Sequence, residues 1–222
     1  MRFLLTSSGI SNPSIHNALL DLLGKPIAES TALCIPTGMY PFPGGPVGAY
    51  RFISGTAPSP MCGLGWKSLG VLELTALPSV KKEYWTAAVQ ETDALLVWGG
   101  DVLYLCRWIR ESGLADLLPA LDRLVYVGVS AGSMLTAPIF GETYDDPNEP
   151  FIITEGLGLV DFALLPHLDH ADHPESSTAR VERMAAEVPV PTYGIDDQTA
   201  IQVIDSATEV ISEGHWQLFS PK

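Results

Sequence analysis

The chain has 222 residues, 46% of them apolar and 17% charged, which supplies enough apolar side chain for a buried core and too little charge for a disordered tail. Lys and Arg number 12 against 26 Asp and Glu, a formal net charge of -14. That balance argues against nucleic acid and anionic membranes as partners, because both are held by clustered basic side chains.

Length sets the expectation of one domain over residues 1–222. Short apolar runs recur at Phe3 to Thr6, Ala32 to Pro36, Val71 to Thr75, Ala94 to Trp98 and Leu124 to Val129. Most are apolar on both faces, as strands buried between two helical layers are. Helical spacing fills the gaps at Ser14 to Leu23, Val80 to Thr92, Leu103 to Ser112 and Ala115 to Leu121. The alternation predicts an α/β fold, a mostly parallel sheet flanked by helices on both faces. Residues 37 to 69 interrupt it, since twelve of these 33 positions are Gly or Pro. A loop-rich excursion with at most a short helix at Val47 to Ile53 is expected there, in the role of a lid, a binding edge or a plain surface insertion. After residue 150, Phe162 to Leu165, Thr199 to Ile204, Glu209 to Ser212 and Trp216 to Phe219 read as strands, with one helix at about Glu175 to Glu187. The last three strands predict a C-terminal antiparallel extension in the form of a meander.

Cys34, Cys62 and Cys106 are odd in number and include no C-x-x-C pair, so a reduced, cytoplasmic protein is the simplest reading. The start, Met1 to Ser8, has too short an apolar run for a signal peptide, and no run of ~18 apolar residues marks a membrane span. A monomer and a homodimer both fit the sequence.

Gly128-Val129-Ser130-Ala131-Gly132 follows an apolar strand and precedes a plausible helix start at Ser133 to Ala137. A sharp turn in that position lifts a serine hydroxyl to the carboxyl end of the strand, and the flanking glycines let the backbone pass. The helix that follows aims amide N–H groups at the place where a tetrahedral oxyanion forms. A second turn, Gly99-Gly100-Asp101, closes the strand at Ala94 to Trp98 on the same sheet edge. The Gly100 amide thus joins that of Ala131 as a candidate oxyanion donor, and Asp101 is placed to cap the next helix.

A hydroxyl needs a base to become a nucleophile near neutral pH. The segment from His167 to His173 carries three of the five histidines, and His167, directly after a strand, is the expected base, with His170 next. The same cluster, through His167, Asp169 and His170, offers the rival reading of a metal-dependent hydrolase. The serine reading requires neither metal nor cofactor. An acid must orient the imidazole, and Asp145-Asp146 and Asp196-Asp197 both qualify.

With these residues in place the sequence resembles the peptidase E family of serine peptidases, on a fold similar to class I glutamine amidotransferases. Four motifs stand in family order: Gly99-Gly100-Asp101, the turn around Ser130, Pro166-His167, and Gly194-Ile195-Asp196-Asp197. The resemblance implies Ser130 as nucleophile, His167 as base, the Gly100 and Ala131 amides as oxyanion hole, and either Asp145 or Asp197 as the acid, with Asp145 slightly favoured. It also implies short peptides as substrates, removal of an N-terminal aspartate, and Arg180 as the reader of that side chain. Exposure on the helix beside Glu182 and Glu187 is the alternative for Arg180. The family's glycine turn commonly ends in Asn where this chain has Asp101, which brings Asp101 forward as a substrate contact able to repel an acidic side chain. Cleavage of an aspartate-rich polymer such as cyanophycin is a related activity. A non-catalytic amidotransferase-like binding module is the reading from a different class.

Overall fold

The computed structural model describes residues 1–59, 61–142 and 151–221. The chain runs β1 (Arg2–Thr6), α1 (Pro13–Leu23), β2 (Thr31–Ile35), α2 (Gly45–Ile53), β3 (Ser68–Val71), α3 (Lys82–Glu91), β4 (Ala94–Val97), α4 (Val102–Glu111), α5 (Leu114–Leu117), β5 (Val125–Val129) and α6 (Ala131–Met134). It continues through β6 (Ile139–Glu142), β7 (Ile152–Glu155), β8 (Ala163–Leu165), α7 (Thr178–Ala185), β9 (Thr192–Ile195), β10 (Thr199–Ile204), β11 (Ala207–Ser212) and β12 (Trp216–Phe219). Seven strands make the main sheet in the order β11-β10-β1-β5-β4-β2-β3. Its five N-terminal strands are mutually parallel, and β10 joins β1 antiparallel.

The apolar runs explain the layering. Successive residues of a strand face opposite ways, so Phe3, Leu5, Leu95, Val97 and Tyr126 enter one core with Leu105 and Ile109 of α4. Leu4, Leu96, Val125 and Val127 enter the other core with Ile15, Leu19 and Leu22 of α1. Helix ends follow local chemistry as well. Asn12 caps α1 by accepting from the Ile15 amide at 2.9 Å, Pro13 opens it, and Gly24 closes it at φ 67. Asp101 caps α4 by accepting from the Tyr104 amide at 2.8 Å.

Three predicted elements differ. The strand expected at Val71 to Thr75 lies at Ser68–Val71, and Leu74–Ser79 coils as a 3-10 helix instead. Glu73 drives this change, accepting from the Thr75 amide and from the Thr75 and Thr37 hydroxyls. The C-terminal meander is broken: β10 and β11 pair, but β12 leaves them and pairs antiparallel with β9 in a separate sheet with β8. The Asp196 carboxylate fixes that departure by accepting from the His215 amide at 2.8 Å. The helix expected from Glu175 starts at Thr178, because Pro174–Ser176 forms a 3-10 turn. In the Gly/Pro-rich segment the expected short helix is α2.

Candidate active site

Parallel strands deliver their carboxyl ends to one edge, where ligands of open α/β sheets bind. Ser7 follows β1, Gly99-Gly100 follow β4 and Ser130 follows β5, with β1 and β5 paired in register so that Thr6 faces Val129. The ladder runs one step further, the Ser130 amide donating to the Thr6 carbonyl at 3.1 Å. Ser130 holds φ 50 and ψ -117, a conformation an L-residue adopts only when its surroundings impose it. Close packing imposes it here. A Cβ on Gly132 would run into the Val97 carbonyl, so the chain turns tightly over β4 only with glycine at that position.

The second sheet brings the histidine. His167, two residues after β8, sits at φ 59, and its Nε2 lies 3.1 Å from Ser130 Oγ. Its Nδ1 lies 2.7 Å from Asp197 Oδ1, which occupies the turn between β9 and β10. With the Nδ1 proton directed at that carboxylate, Nε2 presents its lone pair to the serine hydroxyl. Burial alone raises the Asp197 pKa, but hydrogen bonds from His167 and Ser7 and the nearby His167 and His170 charges outweigh it and hold the carboxyl at about 2.

Ser7 was not among the residues singled out by sequence. Its buried hydroxyl donates to Asp197 Oδ1 at 2.6 Å and accepts from the His167 amide at 2.8 Å. One side chain thereby fixes both the acid and the backbone that carries the base. The signal for it was the end of β1 beside the strand of Ser130, visible only once the strand order is known.

The other expected residues divide. Gly100, at φ 120, and Ala131 line the cavity next to Ser130, and among the described residues no acceptor is bonded to either amide. A Cβ on Gly100 would meet the Gly38 carbonyl, which restricts this turn to glycine. Helix α6 is a single turn, so what it offers is the Ala131 amide itself rather than a long dipole. Asp101 directs its carboxylate to the Tyr104 amide and is absent from the cavity wall among the described residues. Arg180 is 2% exposed, which overturns its placement on an exposed helix face. Its Nε donates to the Glu175 carbonyl at 3.2 Å, and its guanidinium lies 4.9 Å from the Phe151 ring centroid. Asp145 lies outside the described residues.

The histidine cluster does not gather as a metal site. Asp169 accepts from the Thr178 amide and hydroxyl at 2.7 and 2.6 Å, and His170 faces the second oxygen of Asp197 at 3.8 Å. Among the described residues no three His, Cys, Asp or Glu side chains converge on a common point. His173 stacks on His167 with ring centroids 4.2 Å apart and planes 15° apart, and its Nδ1 lies 2.8 Å from Glu175 Oε1. All three cysteines are buried thiols.

The low Asp197 pKa carries a stability consequence. A depressed carboxyl stabilises the fold fully above its unfolded value, near 3.8, and loses that contribution as pH falls through about 2. The difference in thermal midpoint between wild type and Asp197→Asn is therefore expected to be constant above that range and to shrink below it. A difference that grows toward low pH would contradict the pairing.

An α/β sheet whose edge presents a strained serine hydrogen-bonded to a histidine, itself bonded to a carboxylate, is an arrangement shared by serine hydrolases. The family model of Peptidase family S51 matches residues 3–211. The chain belongs to that family. It is 32% identical over 124 residues to a protein named Peptidase E from Streptomyces coelicolor, covering 53% of this chain and 51% of the relative. It is 29% identical over 140 residues to a Drosophila melanogaster protein named "Probable alpha-aspartyl dipeptidase", covering 60% and 58%. The chain thus spans a little over half the length of these curated relatives. A crystal structure of a peptidase from an acI-B1 Actinobacterium superposes with TM-score 0.71 at 17% identity, covering 99% of this chain and 94% of that one; it speaks to the fold. No described helix is long and apolar enough to cross a membrane.

Proposed function

We propose that the chain is a serine dipeptidase, cytoplasmic, hydrolysing short peptides without a metal or cofactor. The observation that carries this reading is the continuous line from Asp197 through His167 to Ser130, at 2.7 and 3.1 Å. Family membership supports the reaction type, and the three buried thiols suit a reducing compartment. The cavity at Ser130, about 320 Å³, is small as ligand sites go and suits a short substrate.

Ser130 Oγ attacks the scissile carbonyl carbon while its proton passes to His167 Nε2. The carbonyl oxygen, now an anion, accepts from the Gly100 and Ala131 amides, whose donors stand ready before the reaction. Asp197 keeps the imidazole in the productive tautomer and stabilises its positive form. Collapse of the intermediate breaks the C–N bond, and the leaving amine takes the proton from Nε2. Water then gives a proton to His167 and attacks the acyl-enzyme ester; collapse releases the carboxylic acid, and Ser130 recovers its proton.

Treatment with a fluorophosphonate probe is expected to label Ser130 covalently in wild type and to leave Ser130→Ala unlabelled, read by intact-protein mass. An unlabelled wild type would favour a binding module over an enzyme.

A further inference from the structure

We propose that the cavity in front of Ser130 takes an uncharged, apolar side chain on the acyl side of the scissile bond and discriminates against aspartate there. The inference rests on the serine-dipeptidase reading of the same site and adds the class of residue it selects. Phe42, Met134, Phe151, Leu165 and Pro166 form the apolar part of the wall. A substrate carboxylate entering this space would give up its hydration, a loss recovered only where a cation meets it.

The charged and titratable groups on the wall are of the wrong kind for that. Among the described residues they are His167, His173 and Glu175. His167 is committed to Ser130 and Asp197. The Nδ1 of His173 already faces Glu175 Oε1 at 2.8 Å, so any positive charge it gains is matched before substrate arrives. With His173 neutral, Glu175 repels a second carboxylate; with His173 charged, the pair is neutral, so neither state offers an anion a net positive charge. Arg180 is packed against the ring of Phe151, a wall residue, rather than on the wall, and its Nε is engaged with the Glu175 carbonyl. The sequence from 143 to 150, Thr-Tyr-Asp-Asp-Pro-Asn-Glu-Pro, holds three carboxylates and no Lys, Arg or His, so it contributes no cation whatever its placement. The net charge of -14 sets a background that opposes an anionic ligand further.

The test compares kcat/KM for Leu-Ala, Met-Ala and Asp-Ala on protein whose Ser130 labelling by fluorophosphonate is measured in the same preparation. Leu-Ala and Met-Ala are expected to exceed Asp-Ala by about tenfold or more. Glu175→Arg, which reverses the charge at the rim, is expected to raise the Asp-Ala to Leu-Ala ratio by about tenfold. Labelled protein that prefers Asp-Ala, or that cleaves none of the three, overturns the side-chain assignment while leaving the nucleophile in place. A ratio unmoved by Glu175→Arg overturns it as well. Protein that takes no label overturns the underlying serine reading instead, so the two failures are distinguishable.

Discussion

Ser130→Ala and His167→Ala are each expected to lower kcat for dipeptide hydrolysis by about 10⁴-fold or more, with KM changed little, and the double variant is expected to be no worse than the more impaired single. The reason lies in the 3.1 Å contact between His167 Nε2 and Ser130 Oγ. Without the imidazole the hydroxyl keeps its proton and is a weak nucleophile; without the hydroxyl the imidazole has nothing to activate. Either loss disables the same step, so the second adds nothing. Residual activity above the uncatalysed rate, about 10³-fold, is expected to survive in all three variants, because the Gly100 and Ala131 amides and the cavity wall remain. Kinetics on the four proteins, with thermal midpoints to confirm that each is folded, decide the matter. Losses that multiply in the double variant would mean that the two side chains act in separate steps.

How legible the site was in the sequence depended on whether a residue's role is set locally. Ser130 and Gly100 were readable because a strand-to-helix turn has its own chemistry: the glycines at 100 and 132 occupy places where a Cβ would strike a carbonyl. His167 was readable for the same reason, following an apolar strand that ends at Leu165. The buried parallel strands announced themselves as apolar runs, since a strand covered on both faces leaves no polar alternation. Roles set by pairing between distant strands were harder to read: Ser7 carried no local signal, and Asp197 stood only as an alternative to Asp145. Ser7 and Asp197 are 190 positions apart and meet at 2.6 Å only because β1 and β10 are neighbours in the sheet. Asp196, one residue earlier, is turned to the Thr199 hydroxyl and the His215 amide; spacing offered the pair, the resemblance pointed to Asp197 within it, and the choice between Asp197 and Asp145 stayed open. For Arg180 two placements stood open, a substrate pocket by resemblance and an exposed helix face by charge, and burial overturns only the second. A charged residue at helical spacing reads as exposed, whereas here the guanidinium is covered by Phe151 from a strand-preceding position about thirty residues away in the chain.

Asp197→Asn is expected to lower kcat by about 10³–10⁴-fold while leaving KM within a few-fold. Asn matches the shape of Asp and keeps a partner for the imidazole, but it can offer an N–H where the carboxylate offered only lone pairs. That N–H favours the imidazole with its proton on Nε2, the nitrogen that must be bare to take the serine proton. The positive imidazole also loses its counter-charge at 2.7 Å. Ser7, whose hydroxyl holds both Asp197 and the His167 amide, is a positioning residue. Ser7→Ala is therefore expected to cost kcat about tenfold with KM unchanged, and Ser7→Thr to recover part of that loss, since it restores the hydroxyl. Asp145→Asn is expected to leave kcat within a few-fold, because the single Nδ1 proton of His167 already has its acceptor. The three positions therefore predict a graded order, Asp197 far above Ser7 and Ser7 above Asp145, that no uniform loss of stability would reproduce. If Asp145→Asn instead gives the large loss and Asp197→Asn the small one, the acid of the triad is reassigned and the 2.7 Å contact becomes a structural bond.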